Sequence, residues 1–155
     1  MAAVLAAALF AFAAAPARAD GDPPSDYLLS QQVYTPFGAK LDPVKRQRLQ
    51  KAVANANRAG YRIRVAVIGS VYDLGSVTVL WRKPRTYAHF LGEELAFVYH
   101  NRLLVVMQNG FGFNYPKHSS AKAYRILSRI SIQPDPDGLL QAALRAVQRL
   151  AAAKA

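Results

Sequence analysis

The feature that most constrains the fold is a short, uninterrupted apolar run at residues 103–107, Leu-Leu-Val-Val-Met. A strand that is apolar at every position has both faces covered, as in sheets that carry helices on both sides. A second strand is predicted over residues 61–68, where large apolar side chains occur at every other position. Because helical segments separate these runs, the chain is expected to form an α/β layered sheet.

Helix signals are clear at several points between and after the strands. The first helix is predicted to begin at Asp42, an N-cap residue followed by Pro43, and to end at Gly60. Further helices are predicted from Pro84 to before Asn101, over residues 119–131 and over residues 139–152. A short strand is predicted over residues 28–34 and a loop over residues 109–116, while residues 77–81 are compatible with a strand or a helix.

Residues 1–19 are predicted to be a cleavable secretory signal. Residues 4–15 are nearly all Ala, Leu, Val and Phe, and Ala17 and Ala19 are the small residues that a signal peptidase accepts before its cut. This apolar run is shorter than the ~20 residues that span a bilayer. An uncleaved Ala-rich helix is the alternative. The prediction is a secreted, extracytoplasmic chain that begins at Asp20 and has no stable membrane anchor after cleavage.

The remaining chain is predicted to hold one domain. Residues 20–26 are rich in Pro and Asp and are expected to be a disordered leader. Residues 27–152 are expected to form a single α/β domain, because their number suits one hydrophobic core.

The chain is strongly basic. Without the signal and its Arg18, 19 Lys and Arg side chains face nine Asp and Glu, a net charge of +10. Such a domain attracts phosphates, acidic polymers and anionic lipid headgroups, although a merely solvated basic surface is the alternative. The expected partner is therefore a protein or an anionic polymer or lipid surface, and not nucleic acid if the chain is exported. The cations assigned to this basic surface are Lys45, Arg46, Arg48, Lys51, Arg82, Lys83, Arg85, Lys122, Arg125 and Arg129.

The sequence contains no complete catalytic motif. It has no cysteine, and its three histidines are spaced eleven and eighteen residues apart, which does not place two imidazoles on one helix face. Neither Gly69-Ser70 nor Gly75-Ser76 has the spacing of a serine nucleophile elbow. No catalytic residue, metal ligand or cofactor is therefore assigned.

One loop is a candidate ligand site. Residues 109–112, Asn-Gly-Phe-Gly, follow the buried strand, but Tyr115 stands where a dinucleotide-binding motif requires its third glycine. A tight turn is the alternative interpretation. Because such loops line the crevice where α/β folds bind ligands, the candidate ligand-loop residues are Asp73, Asn109, Gly110 and Gly112.

The order of these segments resembles the TPM domain, which occurs in thylakoid-lumen proteins linked to photosystem repair, in an animal receptor accessory subunit and in exported bacterial proteins. The resemblance covers roughly residues 26–113. It rests on Leu28-Leu29-Ser30, the strand at 64–68 after Ala59-Gly60, Tyr87-Ala88 with Phe90-Leu91, and residues 101–106 running into Gly110-Phe111-Gly112. It implies an α/β/α three-layer sandwich around a small mixed sheet of about four strands.

The resemblance, taken together with the basic charge and the missing catalytic motif, leads to two hypotheses about function. The first is an exported, non-catalytic module that binds a protein partner or an anionic envelope surface. The alternative is a metal-dependent, phosphatase-like hydrolase, because phosphatase activity and calcium binding through acidic side chains have been attributed to plant members. Between its helices this chain offers only Asp73, Glu93 and Glu94 for such a role. Calcium binding by this chain is therefore an expectation that rests on the resemblance alone.

Overall fold

The computed structural model describes residues 21–155, so the predicted signal and Asp20 lie outside the described residues. The helices are α1 Pro23–Leu28, α2 Pro43–Arg58, α3 Pro84–Glu94, α4 Ala121–Leu127 and α5 Pro136–Ala153. The strands are β1 Val33–Tyr34, β2 Ile63–Val67, β3 Arg102–Met107 and β4 Gly110–Asn114. Two short 3-10 helices, Val71–Leu74 and Thr78–Leu80, lie between β2 and α3. Within this part of the chain no helix is both long and apolar enough to cross a bilayer.

The four strands form one mixed sheet in the order β1-β2-β3-β4. The strands β1, β2 and β3 are parallel, and β4 returns antiparallel to β3 as a hairpin. Parallel strands end at the same side of a sheet, so the segments that follow β1, β2 and β3 meet there. We call this side, formed by residues 35–38, 69–83 and 108–109, the carboxyl edge.

Helices cover both faces of the sheet, which confirms the predicted α/β/α sandwich. Leu104 and Val106 of β3 face the layer of α2, α4 and α5, while Leu103, Val105 and Met107 face α1 and α3. All five side chains are buried. The apolar run at residues 103–107 is therefore explained by a central strand with a hydrophobic core on each side.

The predicted first helix is confirmed by its cap. The Asp42 carboxylate accepts hydrogen bonds from the backbone N–H groups of Val44 at 2.7 Å and Lys45 at 3.2 Å. The closing helix begins earlier than predicted because Asp135 caps it, accepting from the N–H of Gly138 at 2.8 Å, and Pro136 occupies its first turn.

The structure differs from the expectation of a disordered leader at residues 20–26. Its described part caps and enters helix α1, and Asp22, Pro24 and Ser25 are buried. The Ser25 hydroxyl donates to the Asp22 carbonyl at 2.8 Å. Proline and aspartate are common in disordered segments, but here they suit the start of a helix, and tertiary contacts hold the segment in place.

Other element boundaries also differ from those predicted. The segment at 109–116, predicted as a loop, contains strand β4. Gly112 of this strand lets α3 approach closely, because a Cβ at Gly112 would overlap the carbonyl oxygen of Pro84. The predicted strand at 28–34 shrinks to β1, since Leu28 belongs to α1. The ambiguous segment at 77–81 contains a 3-10 helix, and the helix predicted at 119–131 is limited to α4.

Candidate functional site

Asp73 is the central polar residue of the carboxyl edge. One carboxylate oxygen accepts from the Tyr34 hydroxyl at 3.1 Å and the Phe37 backbone N–H at 2.9 Å. The other accepts from the N–H groups of Gly69 at 2.9 Å and Ser70 at 2.8 Å. Asp73 is only 2% exposed. Its carboxylate therefore joins the segments that follow β1 and β2, and both oxygens are already occupied.

Three large apolar side chains at this edge are exposed. Phe37 is 92% exposed, Tyr72 is 88% exposed and Val79 is 72% exposed. We call these three residues the apolar tip. Single exposed apolar side chains are common, but a group of them on separate segments of one edge is typical of a contact surface.

The β3–β4 turn fixes the start of α3. The Asn109 side-chain amide donates to the backbone carbonyl of Arg82 at 2.6 Å. Arg82 has a φ of 59°, which is uncommon for a residue other than glycine. The hydrogen bond stabilises this conformation and leaves the side chains of Arg82 and Lys83 exposed. Asn109 thus shapes the edge through its side chain.

A cleft with a volume of about 350 Å³ lies beside this turn. Its walls include Asn109 and Gly110, two of the four candidate ligand-loop residues, whereas Gly112 is buried in β4 and Asp73 is not part of the walls. The guanidinium of Arg85 lies 4.3 Å from the ring centre of Tyr124, another wall residue. Arg85 gives the walls of this cleft a positive charge, which suits the binding of a small anionic group.

The α2 cations do not all have the same surroundings. The Lys45 ammonium lies 3.0 Å from the Asp137 carboxylate of α5, which also accepts from the backbone N–H of Asp42. These contacts raise the pKa of Lys45, first through its hydrogen bond to Asp137, and lower the pKa of Asp137. Lys45, which the sequence assigned to the basic surface, therefore has an ion-pair partner 92 residues further along the chain.

Arg46, Arg48 and Lys51 of α2 are exposed. Arg48 and Lys51 border a groove between α2 and α5 of about 630 Å³, whose floor is apolar. The residues that form this floor are Ala52, Ala56, Leu144, Val147 and Ala151.

The predicted basic surface is distributed over three places. One group lies on α2, the second precedes and begins α3, and the third lies on and just after α4. In the third group the Lys122 ammonium donates to the Ala153 carbonyl, so this cation is held against the end of α5. Arg125 and Arg129 are exposed.

Half of the eight acidic side chains in the described part of the chain perform structural tasks. Asp42 and Asp135 cap helices, Asp73 joins two loops and Asp137 pairs with Lys45. Within residues 21–155 no other Lys or Arg lies within 4.0 Å of an Asp or Glu carboxylate. Arginines near the amino ends of the strands contact aromatic rings instead, as Arg64 does above Tyr99 and Arg102 above Tyr61. Most of the cations are thus available to an external anion.

The acidic residues considered for a metal-dependent reaction do not lie together at one site. Asp73 and Asn109 lie at the carboxyl edge, where α3 begins, whereas Glu93 and Glu94 lie in its last turn. The 11 residues of α3 extend over about 16 Å. In the described part of the chain no three His, Asp or Glu side chains are placed to hold a metal ion.

Asp22 is a buried acid that the sequence did not reveal as special. It is 3% exposed, and one carboxylate oxygen accepts from the Tyr87 hydroxyl at 2.6 Å. The other oxygen has no hydrogen-bond partner among the described residues. Burial raises the pKa of Asp22 to about 7. The one available signal was its position directly before Pro23, as the N-cap of a helix.

Comparisons with known proteins establish the fold and no family. The chain matches no protein-family model, and no curated protein matches it. Its structure is similar to the solution NMR structure of the N-terminal domain of the cg2496 protein from Corynebacterium glutamicum, with a TM-score of 0.51 and 13% sequence identity. The similarity covers 81% of this chain and 81% of that domain.

Proposed function

We propose that this chain is an exported, non-catalytic TPM-like module that binds an anionic partner outside the cytoplasm. The observation that carries the proposal is the imbalance of surface charge. Lys45–Asp137 is the one ion pair of a Lys or Arg with an Asp or Glu side chain among residues 21–155, while most of the other cations are exposed. A surface with this imbalance attracts anions.

The positions of the acids favour binding over hydrolysis. A phosphatase-like site needs a carboxylate that is free to bind a metal ion or attack a phosphoryl group. Both oxygens of Asp73 already accept hydrogen bonds from the protein, and Glu93 lies at the other end of α3. The contribution of Asp73 is to hold two loops of the carboxyl edge.

The test is binding of long-chain polyphosphate by the chain that begins at Asp20. Three variants remove the three groups of cations separately by substitution with Gln. They are Arg46→Gln/Arg48→Gln/Lys51→Gln, Arg82→Gln/Lys83→Gln/Arg85→Gln, and Lys122→Gln/Arg125→Gln/Arg129→Gln. We expect at least one variant to lose about tenfold or more in affinity, which corresponds to ~1.4 kcal/mol.

A charge-conserving control separates electrostatic binding from damage to the fold. The variant Arg46→Lys/Arg48→Lys keeps every positive charge on α2 and should retain the affinity of the unmodified chain. The proposal fails if the unmodified chain does not bind polyphosphate at low salt, or if all three Gln variants bind it as tightly as the unmodified chain does.

A further inference from the structure

The carboxyl edge combines apolar and cationic side chains. Phe37 follows β1, Tyr72 follows β2, and Val79 lies in the 3-10 helix before α3. All three are largely exposed, and the exposed cations Arg82 and Lys83 follow Val79 closely in the chain. Three separate segments therefore present an apolar group beside positive charge.

The protein holds these segments in place. The Asp73 carboxylate accepts from the Phe37 N–H and from the N–H of Ser70, the residue that caps the 3-10 helix in which Tyr72 lies. Asn109 holds the backbone at Arg82 by its hydrogen bond to the carbonyl there. Because the segments are already ordered, binding does not have to pay the entropy of ordering them.

Most of the described acidic side chains at this side of the molecule are engaged, with the exposed Asp26 of α1 as the exception. Asp73 is buried, and Asp42 and Asp135 cap α2 and α5. Asp137 pairs with Lys45. The exposed charge of residues 69–83 is therefore positive, which is complementary to an anionic surface.

We propose that the carboxyl edge docks on an anionic lipid bilayer. Phe37, Tyr72 and Val79 enter the boundary between headgroups and acyl chains, and Arg82 and Lys83 contact lipid phosphates. The proposal rests on the proposed function, since it names the anionic partner. A bilayer is favoured over a soluble polyanion because only the bilayer offers apolar surroundings to the apolar tip. Protein segments that bind at a membrane interface also combine aromatic and cationic side chains, as this edge does.

The protein carries its own reporter at this edge. Trp81 is the single tryptophan of the sequence and lies between Val79 and Arg82. Its side chain is partly buried against the core on the α3 side of the sheet. Docking should therefore shift the Trp81 fluorescence to the blue and allow lipids with brominated acyl chains to quench it.

The experiment measures vesicle binding by co-sedimentation and by Trp81 fluorescence. Phosphatidylcholine vesicles with and without phosphatidylglycerol are compared for the chain that begins at Asp20. The test variant is Phe37→Ser/Tyr72→Ser/Val79→Ser. The matched control is Phe97→Ser, because Phe97 is 94% exposed and follows the other end of α3, away from the carboxyl edge.

We expect binding to phosphatidylglycerol vesicles, weak binding to phosphatidylcholine alone, and quenching of Trp81 by brominated lipid. The tip variant should lose about tenfold in affinity for each apolar side chain removed, while Phe97→Ser binds as the unmodified chain does. Since all the substituted side chains are exposed, circular dichroism and urea unfolding should show that each variant folds.

The possible outcomes separate this inference from the proposed function. Equal vesicle binding by the tip variant and the unmodified chain overturns the docking inference, as does an equal loss in Phe97→Ser. If the unmodified chain binds polyphosphate but not anionic vesicles, the docking inference fails and the proposed function stands. If it binds neither, both fail.

Discussion

The Asp73 carboxylate lies 2.9 Å from the backbone nitrogen of Phe37 and accepts a hydrogen bond from it, across a separation of 36 residues. This contact joins the loop after β1 to the loop after β2. Asp73, the one buried acid of the carboxyl edge, thus holds in place the two loops that carry the exposed side chains of Phe37 and Tyr72.

Replacing Asp73 should therefore destabilise the fold. In Asp73→Asn, the new NH₂ group would face either the N–H groups of Gly69 and Ser70 or that of Phe37, so at least one N–H is left unsatisfied. We expect a loss of about 3 kcal/mol in the free energy of unfolding, measured with urea. The exposed acid Glu93 provides the control, since Glu93→Gln should change stability by less than about 0.5 kcal/mol. An equally small effect at Asp73 would contradict the assigned role.

Asp22 should make stability depend on pH. Burial raises its folded-state pKa from the ordinary 3.8 to about 7, so the folded state binds a proton more tightly than the unfolded state. The contribution to stability is fully present below about pH 4 and is lost as the pH rises through 7. The Tyr87 hydroxyl opposes this shift through its hydrogen bond, whereas the carboxylates of Glu94 and Asp26 add to it.

The measurement is the free energy of unfolding of the unmodified chain and of Asp22→Asn between pH 4 and 7.5. The unmodified chain should lose stability on the order of 2–4 kcal/mol relative to the variant across this window. Asp137, whose pKa is lowered, acts in the opposite direction and below pH 4. Parallel pH profiles for the two proteins would show that Asp22 is not the group responsible.

The α2 cations should differ in their contribution to polyanion binding. Lys45 already contacts Asp137, whereas Arg48 and Lys51 are exposed and unpaired among the described residues. The single variant Lys45→Gln should lose less polyphosphate affinity than Arg48→Gln, when both are measured at the same salt concentration. A greater loss for Lys45→Gln would mean that the anion displaces Asp137 from its pair.

The predicted signal gives a separate expectation about the mature chain. Protein recovered from the extracytoplasmic fraction should begin at Asp20, because Ala17 and Ala19 suit cleavage there. Intact mass and N-terminal sequencing measure this directly. Recovery of exported protein that still begins at Met1 or Ala2 would contradict the prediction.

The elements that the sequence predicted well are those with local signals. The apolar run of β3, the alternation in β2 and the Asp42-Pro43 cap of α2 each depend on neighbouring residues. Strand β4 was missed because Gly110 and Gly112 are weak strand formers, and their role depends on the approach of α3. Helix α1 was missed because its stabilising partner, Tyr87, lies 65 residues away.

The candidate site was predictable only in part, for the same reason. The sequence placed Asp73 and Asn109 at the ends of strands, but their hydrogen bonds to Phe37 and Arg82 require the folded chain. The sequence also did not predict that the side chains of Phe37 and Tyr72 are exposed, because large aromatic residues are usually at least partly buried.

Whether cations without internal partners hold an anionic partner is measured by the salt dependence of polyphosphate binding. Each neutralised anion releases counterions, so the logarithm of the binding constant should fall linearly with the logarithm of the salt concentration, by about 0.7 for each contact on a single-stranded polyanion. We expect a slope that corresponds to several contacts between about 50 and 200 mM salt. A binding constant that does not change with salt, or no binding at about 50 mM, would contradict this expectation.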